Sequence, residues 1–78
     1  MEREPYKIKE NVQEFEQRMI DETLEINNRR THLSSFIKSD KFKSLSGYHQ
    51  GLLIKQSVFM EAYQKTVEER LLDLGVFS

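Results

Sequence analysis

Between residues 8 and 36 the chain repeats apolar side chains at the spacing of a coiled-coil seam. Ile8, Val12, Phe15, Met19, Ile26, Leu33 and Phe36 follow one another at steps of 4, 3, 4, 7, 7 and 3 residues. Steps of three and four keep one face of an α-helix apolar, and over this length they require a helix that packs lengthwise on something else. The spacing predicts one long helix over 7–37. Pro5 marks where order begins, since proline is tolerated in a first helical turn, and a bend is admissible near Asn27 and Asn28. Such a helix extends roughly 45 Å at the usual rise per residue, more than a globule of this chain length is wide. Two heptad positions, Glu22 and Arg29, carry charge instead of an apolar group.

The polar run KSDKFKSLSG at 38–47 reads as a connector. Ser39 can cap a short turn through Asp40 to Lys43, and Ser46 can cap the following helix. Phe42 and Leu45 are the apolar residues in this stretch and are expected to pin the turn against the helices. A second helix is expected from Gly47 to Leu74, with Gly75 as a left-handed cap. Its apolar residues form two rows: Leu52, Phe59 and Tyr63, and beside them Leu53, Met60, Val67, Leu71 and Leu74. A face that wide exceeds what one antiparallel neighbour covers. Gly47 and Gly51, one helical turn apart, would let another backbone approach closely.

Size sharpens that conclusion. A chain of 78 residues forms one small domain, here 1–78 with 1–6 expected to be flexible, and small domains usually need a staple. There is no cysteine, and the two histidines, His32 and His49, are too few for a histidine-rich metal site. Self-association is the staple left. The expected architecture is all-α: two long helices joined by a short helical turn, interlocked into a helical homo-oligomer. The longest aliphatic run, Leu52 to Ile54, is far short of a membrane span, and the polar start MEREPYKIKE is unlike a signal peptide. The expectation is a soluble intracellular protein. Net charge is −1 with the signs interspersed, so no basic field invites duplex nucleic acid, and an anionic ligand must be held by local cations.

No zinc-protease, nucleophile-elbow or phosphate-loop pattern occurs. Asp21 and Glu25, one turn apart, can bridge a hard metal, although a solvated acidic face is the ordinary reading. The expectation is a protein that is not an enzyme and carries no metal or cofactor. The informative anomaly is the pair Arg29 and Arg30. An ion pair with Glu22 would account for it, as would snorkelling of the guanidinium to solvent. A third account is a pocket for a phosphorylated ligand, with Thr31, Asn27 and Asn28 as neutral hydrogen-bond partners and Phe15 as a face for a base.

The runs FEQRMIDETLEI (15–26), LSSFIKSDKFKSLS (33–46) and QGLLIKQSVFMEAY (50–63), continuing to Val67 and Arg70, resemble the small phage anti-CBASS proteins of the second type, including the T-even phage branch. The similarity covers about residues 12 to 74. It implies an α-helical homohexamer that binds cyclic dinucleotides such as 3′,3′-cyclic GMP-AMP between protomers and holds them, uncleaved, away from a bacterial effector. The site of action so implied is the cytoplasm of the infected bacterial host. Carried over by position, the base-stacking aromatic falls at or near Phe15, where relatives often have tyrosine. The phosphate-contacting cation falls at Arg29 or Arg30, where relatives often have lysine. Thr31 and Arg70 match positions associated with a separate site for cyclic trinucleotides. Phenylalanine at position 15 lacks the hydroxyl of a tyrosine. The rival reading is a self-associating helical adaptor that docks a host protein through its apolar face. The constellation of Phe15, Arg29 and Arg30 separates the two, because an adaptor has no need to position it.

Overall fold

A computed structural model describes residues 7–78. It contains three helices: α1 (Glu14–Ile37), α2 (Asp40–Lys43) and α3 (Gly47–Asp73). The two long helices form a hairpin with α2 as the turn between them, and the molecule measures 48 × 23 × 16 Å. Among the described residues no helix is long and apolar enough to cross a membrane.

The first helix begins seven residues later than its apolar spacing predicts. Asn11 adopts a left-handed conformation (φ 57°), which asparagine tolerates better than most residues and which no α-helix can continue through. Gln13 then caps α1, and the Glu16 carboxylate three residues on accepts a hydrogen bond from the Gln13 backbone N–H at 2.9 Å. Residues 7–10 instead form an extended arm. Ile8 bridges antiparallel to Phe77, and main-chain bonds tie Lys7 to Ser78 and Lys9 to Val76. Val12 packs against the core from the arm side. Ile8 and Val12 therefore serve a third layer and not the helical seam. The expectations for Pro5 and for residues 1–6 lie outside the described residues.

The connector follows its local chemistry. Ser39 accepts from the Phe42 N–H and Ser46 from the His49 N–H, each capping the helix it precedes. Phe42 is buried and meets the Phe36 ring edge-on, with centroids 6.3 Å apart. Gln50 donates to the Leu45 carbonyl at 2.9 Å and closes the turn onto α3. At the far end Gly75 takes φ +74°, the left-handed cap expected of it. It turns the tail back so that Val76 and Phe77 enter the core, their N–H groups donating to the Leu71 carbonyl.

The core lies at this terminal end: Met19 and Ile20 from α1, Val67 and Leu71 from α3, Val76 and Phe77 from the tail. Of the two apolar rows on α3, the one containing Val67 and Leu71 faces α1, with Leu53 and Met60 half-buried further along it. The row of Leu52, Phe59 and Tyr63 is exposed. The expected close approach at Gly47 and Gly51 is absent among the described residues: no atom from another part of the hairpin lies within 4 Å of where a Cβ would sit at either. Asp21 and Glu25 engage Gln17 and Arg29 along the helix surface, and among the described residues no cluster of three or more metal-ligating side chains occurs. His32 and His49 are exposed.

Candidate ligand-binding flanks of the hairpin

The residues of α1 that turn toward α3 are Glu16, Met19, Ile20 and Thr23, all buried, followed by Ile26, Arg30 and Leu33, half-buried. The packing face is thus rotated by one residue from the seam read in the sequence. Phe15, Glu22 and Arg29, spaced by heptads, lie along its edge, and the inner positions are Glu16, Thr23 and Arg30. Each residue step turns a helix by about 100°, so this offset decides which arginine meets the partner helix. Glu16 can occupy an inner position because its charge is spent on the Gln13 N–H and on Lys9, whose ammonium lies 2.9 Å away. Those two contacts, the backbone bond first, hold its pKa below the usual carboxylate range.

Arg30 is the inward cation. Its Nη1 donates to Oε1 of Gln64 at 2.8 Å, and its Nη2 lies 3.9 Å from Glu61. Gln64 is buried, and its Nε2 donates to Asn27 Oδ1 at 3.3 Å. A groove of about 350 Å³ opens here, lined by Asn27, Arg30, Thr31, Ser34, Ser35 and Lys38. Two cations, three hydroxyls and an amide along one strip of helix offer donors and positive charge to an anion. The Thr31 hydroxyl is engaged with the Asn27 carbonyl at 2.9 Å.

Arg29 faces elsewhere. It is exposed and bonds Glu25 at 2.6 Å, one turn back along its own helix. Within the chain Arg29 pairs with Glu25 and not with Glu22, because a partner at i−4 is within reach along one helix while one at i−7 is not. Glu22 instead accepts from the Tyr63 hydroxyl across the hairpin. That bond, then burial, raises the Tyr63 pKa, since both favour the neutral phenol, while Arg70 nearby pulls the other way.

Around Tyr63 the hairpin is apolar and open. One groove of about 390 Å³ is lined by Ile26, Leu52, Phe59, Met60 and Tyr63, with Lys55 and Gln56 at its rim. A second, about 370 Å³, shares Phe59 and Tyr63 and runs past Thr66 to Arg70 and Glu22. The Lys55 ammonium stands 5.8 Å from the Phe59 ring centroid. Phe15 is 53% exposed, free to stack on a partner.

The expected site residues therefore separate into two flanks. Phe15, Arg29 and Arg70 belong to the apolar side, where Glu22 meets Tyr63. Arg30 and Thr31 belong to the polar side, where Arg30 meets Gln64. No single chain brings either expected constellation together: Phe15 and Arg29 stand roughly 21 Å apart along α1, and Thr31 and Arg70 lie on opposite flanks. Gln64 and Lys38 join the polar flank without having been singled out in the sequence. Gln64 carried a readable signal, because it sits on the buried row of α3 between Met60 and Val67, where a polar residue is as anomalous as an arginine on a seam.

The short helical hairpin thus carries one cationic, hydroxyl-lined flank and one bare apolar flank. The chain belongs to the Sequestin family, whose family model matches residues 13–73, from the cap of α1 to the last residue of α3. By the family's name, it is a sequestering protein. No curated protein and no solved structure matches the chain.

Proposed function

We propose that this protein sequesters cyclic oligonucleotide second messengers, 3′,3′-cyclic GMP-AMP among them, and releases them unaltered. In this reading it is a phage protein acting in the cytoplasm of an infected bacterium, where it keeps the messenger from a CBASS effector. Membership of the Sequestin family over residues 13–73 carries the reading, and the resemblance of the runs 15–26, 33–46 and 50–63 to anti-CBASS sponges supplies the ligand class. The geometry adds support of its own. Phe15 and Arg29 are both exposed on one edge of α1, too far apart to touch one dinucleotide, and each lies seven residues from Glu22. Two copies of α1 packed antiparallel about that point set Phe15 of each beside Arg29 of the other. Each end then sets a base-stacking face beside a phosphate-binding fork, the two kinds of contact that a nucleotide ligand needs. The bare row of Leu52, Phe59 and Tyr63 supplies apolar surface for further copies, with a hexamer as the proposed assembly.

The test is capture without turnover. Incubated with excess protein, 3′,3′-cyclic GMP-AMP should leave the free fraction, then reappear intact by mass spectrometry after heat denaturation. Linear dinucleotide or mononucleotides in the heated fraction would show hydrolysis and overturn the reading. Messenger that stays in solution throughout would favour the adaptor reading, to which the exposed apolar row also lends itself.

A further inference from the structure

The buried amide of Gln64 has a place in the core row of α3 that its neighbours Met60 and Val67 fill with apolar side chains. Packing alone would be served better by methionine or leucine, because a buried polar group must find partners for every donor and acceptor it brings. Gln64 finds two, and both belong to the polar groove. A guanidinium only donates, so Gln64 must turn its Oε1 to Arg30 Nη1, at 2.8 Å, and its Nε2 then donates to Asn27 Oδ1 at 3.3 Å.

From this arrangement we infer that Gln64 is a positioning residue for anion binding: it holds the Arg30 guanidinium at the mouth of the groove, facing a phosphodiester. The inference rests on the cyclic-oligonucleotide reading above. A neutral acceptor is the suitable anchor for that task. A carboxylate at the same place would hold the guanidinium more strongly and also cancel its charge, leaving little attraction for phosphate. The amide carbonyl restrains one edge of the guanidinium and leaves the charge intact and the rest of the donor fork unused. An arginine already restrained loses less side-chain freedom when the ligand arrives. Glu61, the carboxylate paired with Arg30 among the described residues, lies at 3.9 Å and is largely exposed, so it competes weakly with phosphate. Ser34 and Ser35 add hydroxyl groups along the same groove, and Lys38 a second cation at its end.

The experiment is a double-mutant cycle read by calorimetric titration with 3′,3′-cyclic GMP-AMP and, separately, with a cyclic trinucleotide of adenosine. Gln64→Met keeps length, helix preference and buried volume while removing the acceptor. It should weaken binding of the messenger that uses the polar groove about tenfold, and Arg30→Ala should weaken the same messenger at least as much. In the Arg30→Ala background, Gln64→Met should have no further effect, because its action runs through the guanidinium. Gln64→Met binding like the parent protein would overturn the inference, and so would losses that multiply in the double variant, since a merely structural role predicts that result. Should Gln64→Met fail to fold, Gln64→Glu takes its place: it keeps an acceptor, cancels the charge, and should abolish the same binding with α-helical content unchanged, whereas parent-like binding by it overturns the inference. A parent protein that binds neither messenger would fail the sponge reading itself, an outcome distinct from any result of the cycle.

Discussion

The two ends of the hairpin are built from similar residues and are covered very differently. At the terminal end α1 and α3 are roofed by the arm and the tail, and Met19, Ile20, Val67, Leu71, Val76 and Phe77 are all buried. At the turn end the same two helices have only α2 beside them. Phe42 is the one buried apolar residue there among those described, while Leu52, Ile54, Val58 and Phe59 stand 43% to 61% exposed. Composition does not explain this, since the turn end is at least as rich in large apolar side chains. The difference is the third layer. Two helices bury one stripe each, and a wide apolar face becomes core only where another segment lies over it. The terminal end recruits that segment from its own chain. The turn end leaves the place open, which is where another copy or a ligand can be gripped.

The largest effect expected from this contrast is at Leu71, which is fully buried. Leu71→Ala should cost about 2–5 kcal/mol in urea unfolding, as large-to-small core substitutions do, and it should do so at every protein concentration. Leu52→Ala should show a loss that depends on concentration, because in the proposed assembly its cover comes from another chain. A concentration-independent loss at Leu52 as large as that at Leu71 would dissolve the distinction between the two ends.

The next expected effect concerns mass. A charge placed at Phe59, in the middle of the bare row, should prevent a second apolar surface from seating there. Light scattering of the parent protein should report several times the 9.3 kDa of one chain, and Phe59→Asp should report a value near that of one chain. A parent protein that is a stable, fully helical monomer at micromolar concentration would sink the proposed assembly.

Binding comes third. Phe15→Ala should weaken capture of 3′,3′-cyclic GMP-AMP by roughly 1–3 kcal/mol if a base stacks on that ring, and Arg29→Ala by about 1.5–3 kcal/mol if it bonds a phosphate. Phe15→Tyr should preserve the stacking face. Since Phe15 is exposed and off the packing face of its own chain, its loss should leave α-helical content unchanged, which separates a binding defect from unfolding. Retention of parent affinity by both variants in an intact assembly would move the site to the polar flank.

How far these regions could be read in advance depended on the range of the forces that shape them. The bounds of α3, the caps at Ser39 and Ser46, the anchoring Phe42 and the left-handed Gly75 are set by chemistry within a few residues, and each was legible. The arm was not. Ile8 and Val12 continue the heptad spacing by position, while the pairing that makes residues 7–10 extended is with Phe77 and its neighbours at the other end of the chain. The choice between Arg29 and Arg30 stayed open in the sequence for a related reason. An apolar count locates a helix face to within about one residue, and the inner positions that would have refined it are polar: Glu16, Thr23 and Arg30. Thr23 is the extreme case, a buried hydroxyl with no hydrogen-bond partner among the described residues, which no hydropathy pattern would place inside. The allotment of Arg29 to one flank and Thr31 to the other follows from that same rotation.

The smallest effect tests what holds the third layer in place. Glu16 accepts from the Gln13 N–H and from Lys9, so it joins the start of α1 to the arm that pairs with the tail. Both contacts favour the ionised carboxylate, and its pKa in the folded protein is depressed. A depressed folded pKa means that the unfolded chain binds the proton more readily. The contribution of Glu16 is therefore complete above the ordinary carboxylate pKa of about 4.3 and is lost as pH falls through the lower, folded value. Glu16→Gln keeps an acceptor for the Gln13 N–H but cannot attract the Lys9 ammonium. It should melt slightly lower than the parent protein at pH 7, and the two melting temperatures should converge as the pH is taken down through the carboxylate range. Because Lys9 is partly exposed, salt should narrow the gap at pH 7 as well. A gap that stays constant from pH 7 down to pH 2 would mean that Glu16 acts by shape alone. The roof over the terminal core would then rest on the main-chain bonds between arm and tail and on the burial of Val76 and Phe77.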